Sequence, residues 1–340
     1  MRRLLLTAVP ALALVGALLA GPAAQAASSA SGVTIYNSIP TPLPGNLVSQ
    51  PFEAQQVSEF GDKVTFAGTA RLLKDVTITM SSWACQTGSW VLGTCASTPG
   101  ATSLVPITVK LYADELSAAG GTSFAAVTQT VAVPYRPSAS ANCTGTDAGK
   151  WYDAASATCF SGKAANVTID FSALNVTLPN TVIYGISYNT SNYGPTPYGP
   201  LPCSSTPQGC FYDSLNVGVS ASATTGTDVD PDGAFLNSAT ASVYCDGGTA
   251  GTFRNDHSPG CWTGYVPSVR FGAANPPASK DACKRDGWKQ LTDDNGKPFK
   301  NQGACESYLK DKNDKDHGGQ NQDDRGDHGG QNSGDNGHDK

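Results

Sequence analysis

The stretch DKVTFAGTARLLKDVTITMSSWACQTGSWVLGTC, Asp62–Cys95, decides how the chain is read. Val64 and Phe66 alternate with Thr65, and after a short break Val76, Ile78 and Met80 alternate with Thr77, Thr79 and Ser81. A period of two sends one set of side chains into a core and the other outward, which is the mark of a strand. Trp83 continues the second run. Cys85 and Cys95 then bracket a loop that carries Trp90. Strands that run into a cysteine-closed loop point to an all-β domain made in an oxidising compartment.

Outward from this stretch the same pattern recurs. Val105, Ile107, Val109 and Leu111 alternate with Pro106, Thr108 and Lys110. Pro106 has no N–H, so its strand must have an open side or a bulge there. Val127–Val133, Val167–Phe171, Val182–Tyr188, Leu215–Val219, Ser242–Cys245 and Val266–Phe271 supply further runs, and Val33 and Ile35 an edge strand. Roughly eight to ten short strands result, with no amphipathic helix among them. Parallel sheets need crossover helices, so the strands are expected to be antiparallel. The expected fold is an antiparallel β-sandwich, jelly-roll-like, with disulfide-stapled loops.

The ends of the chain differ from its body. Met1-Arg2-Arg3, the apolar run Leu4–Ala20 and Ala24-Gln25-Ala26 form the three parts of a secretory signal peptide over 1–26. The alternative, an uncleaved anchor, is opposed by Pro10 and the small residues at the cleavage point. The sandwich is expected over 28–274, a linker over 275–279 and a small cysteine-bracketed unit over 280–309. A disordered polar tail is expected over 310–340, because it has no aromatic or aliphatic side chain to bury. A secreted, extracellular protein with no membrane span in the mature chain is the expectation. Formal net charge is −6, and no basic stripe with interleaved aromatics occurs, which argues against a nucleic-acid partner.

The ten cysteines fall in five close pairs: Cys85/Cys95, Cys143/Cys159, Cys203/Cys210, Cys245/Cys261 and Cys283/Cys305. Sequence cannot fix connectivity, but nearest-neighbour pairing is the simplest scheme. No CxxC spacing occurs and His is scarce, which disfavours zinc and a redox dithiol.

Two stretches carry a resemblance. Cys283, Gly287-Trp288, Phe299-Lys300-Asn301-Gln302-Gly303, Cys305 and Tyr308 are arranged as in a short C-terminal module of secreted bacterial proteins. This chain departs in Asp286, where that module usually has Gly, and in the longer polar loop Asp293–Lys297. The body, with Pro42–Ala54 and Ser58–Val64, is similar to secreted bacterial β-sandwich proteins. The resemblance implies location and fold, and no reaction.

Candidate chemistry is sparse. A Ser/His/Asp or Cys/His hydrolase needs a folded His, and only His257 qualifies, in a loop closed by Cys261; no Gly-x-Ser-x-Gly elbow occurs, and a solvated loop His is the better account. A two-carboxylate glycosidase would draw on Glu53, Glu59, Glu115, Glu306, Asp170 or Asp213. None of the Glu sits within a strong alternation, and Asp170 lies between core positions and should face outward. Asp228, Asp230 and Asp232, followed by Gly233, have the D-x-D-x-D-G spacing of a calcium loop, so calcium is the one cofactor to consider. Ala239 stands where the bidentate Glu belongs and Pro231 interrupts the loop; a plain Asp/Gly turn is the rival account. His317, His328 and His338 in the tail offer a second metal set, against a merely hydrated tail. Tyr193, Tyr198 and Tyr212 lie in a Pro-rich loop around Cys203/Cys210 and are the candidate contacts for a glycan or other cell-surface component, unless they only cap the sandwich. The expected function is that of a non-catalytic binder, with a secreted hydrolase or a structural coat component as alternatives.

Overall fold

The computed structural model describes residues 32–52, 55–88, 90, 92–116, 121–189 and 215–317, with side chains as far as 312. The strands in chain order are β1 (Val33–Asn37), β2 (Ser49–Gln50), β3 (Val57–Thr65), β4 (Leu72–Ser82), β5 (Thr102–Tyr112), β6 (Ala125–Pro134), β7 (Trp151–Asp153) and β8 (Thr158–Phe160). There follow β9 (Lys163–Asp170), β10 (Thr181–Ser187), β11 (Leu215–Ser220), β12 (Thr227–Asp228), β13 (Gly233–Ser238), β14 (Arg254–His257), β15 (Val266–Pro267) and β16 (Val269–Ala274).

They form two packed antiparallel sheets. One has the order β1-β16-β4-β11-β15, with β9 on β4 and β2 on β11. The other runs β14-β13-β3-β10-β5-β6, with β12 beside β3. β7 and β8 make a separate hairpin. The chain passes back and forth between the sheets, from β3 to β4 to β5 and later from β9 to β10 to β11, as a sandwich requires.

The alternation read from the sequence is what fills the space between the sheets. Val76, Ile78 and Met80 of β4 face Val105, Ile107, Val109 and Leu111 of β5 across one apolar core, with Val182, Tyr184 and Ile186 of β10 and Phe271 of β16. Pro106 lies where β5 has a partner on one side only. β6 pairs with β5 from Thr102 to Leu111, whereas β10 begins to pair at Thr108. The missing N–H therefore leaves no hole in a ladder.

Some local readings change. Ala241–Val243 is one turn of 3-10 helix where a strand was expected. The cause is Tyr244, which buries its ring and accepts the Ser238 N–H at 2.8 Å, so the chain folds back instead of extending. The run at Val266 breaks at Ser268, whose N–H turns to Gly218 O and whose hydroxyl meets Thr79 Oγ1.

Four disulfides are described: Cys85–Cys95, Cys143–Cys159, Cys245–Cys261 and Cys283–Cys305. Each joins sequence neighbours, with Cα atoms 5.3–6.2 Å apart. Cys203 and Cys210 lie outside the described residues. Among the described residues no helix is long and apolar enough to cross a membrane.

Beyond β16 the chain forms α1 (Lys280–Cys283) and α2 (Gln302–His317) around a small core of Cys283, Cys305, Leu309, Trp288 and Phe299. α2 continues past Leu309, where the sequence marks the start of a polar tail. Asn301 caps it by accepting the Ala304 N–H at 2.8 Å, and Lys312 ties it to Asp294. The segment read as a linker holds this unit to the sandwich. Asn275 donates its N–H to Thr292 Oγ1 at 2.7 Å, and its amide reaches Gln290 O and Thr69 Oγ1.

Candidate functional site

Three of the five tryptophans and two of the disulfides converge beside the outer face of β4 and β9. β4 ends at Ser82, and Trp83 leaves the strand with its indole N–H on Ser81 Oγ at 2.9 Å. Ser81 in turn donates to Asn46 Oδ1 at 2.7 Å. Trp90, from the loop closed by Cys85–Cys95, meets Trp83 edge to face, with ring centroids 5.0 Å apart. From the neighbouring hairpin, closed by Cys143–Cys159, Trp151 packs on Phe160 at 5.5 Å and gives its N–H to Gly162 O at 2.6 Å. Lys163 Nζ stands 4.9 Å from the centre of the Trp151 ring, a cation–π distance.

Glycine makes this gathering sterically feasible. A Cβ on Gly162 would lie 2.6 Å from Trp83 Nε1 and 2.8 Å from Asn46 Nδ2. Trp83, Phe160 and Lys163 remain half-buried, so their surfaces are partly open to a ligand, whereas Trp151 is buried beneath them.

The two stapled loops brace each other. Ala139 N–H bonds to Cys95 O at 3.0 Å, and Ser97 and Ser138 exchange hydrogen bonds. Below them lies Arg136, 1% exposed. Its N–H bonds to Ala84 O and its Nη2 donates to Gly149 O at 2.7 Å, while Nε has no partner among the described residues. Burial alone pushes this guanidinium down to about 10.

A row of hydroxyls and amides leads away from the aromatic rings along the outer face. Thr79 Oγ1 donates to Asn166 Oδ1 at 2.8 Å, and Thr77 and Thr168 share a hydrogen bond at 3.0 Å. Thr79 and Ser81 are covered; Asn166 and Thr168 are exposed. Aromatic faces beside fixed hydroxyls, amides and an ammonium can stack on the apolar side of a sugar ring and bond its hydroxyls.

The residues singled out in the sequence are distributed differently. Tyr193, Tyr198, Tyr212, Glu53 and Asp213 lie outside the described residues, as do His328 and His338. Asp170 is exposed, as its alternation requires, and its carboxylate caps a turn by accepting the Ser172 N–H. Glu59 is buried on the outer face of β3, held by Lys110 Nζ and Tyr112 Oη at 2.7 Å each. Asp230 accepts His257 Nδ1 at 2.8 Å and Asn255 Nδ2 at 2.5 Å, and Asp232 accepts the Thr263 hydroxyl. Asp228 accepts the Asp230 N–H at 2.9 Å, and its carboxyl is raised first by burial and then by Asp230. Among the described residues, the group of three or more His, Cys, Asp or Glu ligand atoms within 4.8 Å of one another is Cys245, Asp256 and Cys261, whose sulfurs are spent in a disulfide.

Trp151, Phe160, Asn46 and Lys163 were not singled out by the sequence reading. The fold brings them to the neighbourhood of Trp83, with Lys163 opposite Ser82, Gly162 against the Trp83 indole and Asn46 bonded to Ser81; the available signal was a tryptophan beside each of two cysteine pairs. Compared with known protein families, curated proteins and solved structures, the chain matches none.

Proposed function

We propose that this chain is a secreted, non-catalytic extracellular protein that binds a glycan or a related surface component on the aromatic platform. The observation that carries the reading is the half-buried Trp83, Trp90 and Phe160 cluster, fixed by two disulfides and continued by Asn166 and Thr168. Rings already immobilised lose little entropy when a ligand arrives. Tyr193, Tyr198 and Tyr212 remain proposed additional contacts. The four described disulfides support an oxidising, extracellular setting.

The test is a glycan array run beside a broad panel of polysaccharide and ester substrates, using the full mature chain. Retention of a defined glycan class is expected, with no turnover. Trp83→Ala and Trp90→Ala should each weaken retention about tenfold, as expected for the loss of one stacking contact. Hydrolysis of any substrate would replace the binding reading with an enzymatic one, and would turn attention to Asp230 and His257. Absence of both binding and turnover would favour a structural coat component.

A further inference from the structure

β3 turns Phe60, Asp62 and Val64 toward the interior of the sandwich. Phe60 and Val64 belong to the apolar core, and Asp62 is 1% exposed among them. Its Oδ1 accepts the Lys63 N–H at 2.8 Å, while Oδ2 is buried without a partner among the described residues. Tyr184 stands opposite Asp62 in the β3–β10 register. Tyr36 comes from the facing sheet, and both rings pack against Phe271. Both tyrosines are fully buried and neither hydroxyl makes a hydrogen bond among the described residues, although Ser38 lies near enough to the Tyr36 hydroxyl to act on it. Asp228 is paired with Val64 across β12 and β3, so it lies on the same inward side, one step from Asp62.

These groups sense one another. Burial first, and then the Asp228 and Asp230 carboxylates, raise Asp62 well above the ordinary range. Burial, Asp62 and Asp228 likewise raise the Tyr36 hydroxyl, and Tyr184 follows the same pattern. Among the described residues no Lys, Arg or His pairs with Asp62; its neighbour Lys63 turns outward to Asp114. A cleft of about 240 Å³, lined by Gly226, Thr227, Asp228 and Pro231, lies at the edge of this cluster. Gly226, at φ +72°, has no Cβ where the Tyr36 ring passes beneath it.

A buried carboxylate bonded only by the Lys63 N–H, and two buried hydroxyls with no hydrogen bond among the described residues, are each unfavourable in a core. One positive, oxygen-seeking ion would relieve all of them together. We propose that Asp62 and Asp228, with the hydroxyls of Tyr36 and Tyr184, form a site for a hard divalent cation, calcium by its ligand chemistry, seated between the two sheets and reached past Gly226. Asp230 and Asp232 are not ligands of this site, since His257, Asn255 and Thr263 occupy their carboxylates. It shares only Asp228 with a D-x-D-x-D-G calcium loop, and it stands independently of the glycan-binding reading.

Terbium provides a direct probe, because a tyrosine beside the bound ion sensitises its luminescence. The chelator-treated full mature chain should give tyrosine-sensitised terbium emission that calcium displaces. Saturating calcium should raise its melting temperature by roughly 5 °C. Asp62→Asn and Asp228→Asn should each weaken both effects at least tenfold, Tyr184→Phe should weaken them several-fold, and Asp232→Asn should leave them intact. If Asp62→Asn does not fold, the wild-type titration and Asp228→Asn, at the rim, still decide. Absence of emission and of a thermal shift at millimolar calcium would overturn the site. So would a response that Asp62→Asn keeps and Asp232→Asn loses, which would move the ion to the outer loop. A calcium-indifferent protein made more stable by Asp62→Asn would mean a neutral buried acid and no ion.

Discussion

Glu59 shows how a carboxylate in this fold becomes structural. It projects from the outer face of β3, yet it is 5% exposed and holds Lys110 and Tyr112 at once. Glu59→Ala would leave a buried hydroxyl and a one-third exposed ammonium unpaired. With solvent screening on the lysine side, a loss of about 2 kcal/mol is expected in urea unfolding. Gly185 lies directly beneath this carboxylate, and a Cβ there would collide with Glu59 Oε1. Gly185→Ala should therefore produce a similar loss, and the double variant should lose less than the sum of the two. Asp246 offers a case that depends on pH. Arg254 forks onto it through Nη1 at 2.6 Å and Nη2 at 2.8 Å, while Gly248 N–H adds a third bond. The guanidinium bonds hold its carboxyl down at about 2. Since this is below the ordinary value of about 3.9, the contribution is complete above roughly pH 4. It disappears as pH falls toward 2. Thermal melts in chelator across that interval should show Asp246→Asn flattening the acid-side decline, by under about 1 kcal/mol for so accessible a pair.

At the level of elements, the stapled loops are the parts whose removal should separate stability from binding. Cys143→Ser with Cys159→Ser opens a loop that spans 16 residues and should cost about 3 kcal/mol. Because Trp151 and Phe160 then lose their fixed hairpin, glycan retention should fall further than the loss of stability alone explains; denaturant unfolding and array retention, measured on the same preparation, separate the two. Strand after strand was legible in the sequence: burial follows the alternation in β5 and β9, while in β4 and β10 the outward Thr79, Ser81 and Ile183 are covered as well. Asp62 was not legible as a core residue. A polar side chain on an inward position reads as the end of a strand, although Val64 two residues later fixes the same face. The turn at Ala241 was missed because Tyr244 is anchored by a non-local contact that no local pattern announces. The platform was half legible: Trp83 and Trp90 adjoin one cysteine pair, but their meeting with the Trp151 hairpin depends on β4 pairing with β9.

Over the whole molecule, the C-terminal unit stands apart in how little core it has. Cys283, Cys305 and Leu309 are its buried apolar residues, so the disulfide supplies much of what burial cannot. Cys283→Ser with Cys305→Ser should unfold this unit while the sandwich stays folded. Hydrogen exchange should then accelerate across Trp288–Leu309 and remain slow in β4 and β10; equal acceleration in both would mean that the unit is part of one cooperative fold. Its hydrogen bonds through Asn275 should transmit a smaller destabilisation to the neighbouring end of β16.

The pairing of β1 with β16 joins the first described strand to the last. Order of synthesis and order of assembly are therefore opposed. A nascent chain cannot complete the β1–β16–β4 layer until Val269–Ala274 has been made. The described disulfides impose no such wait, because each closes a span of only 10 to 22 residues. Oxidation can proceed loop by loop as the polypeptide emerges, and the sandwich can close afterwards around bridges that never need to be exchanged.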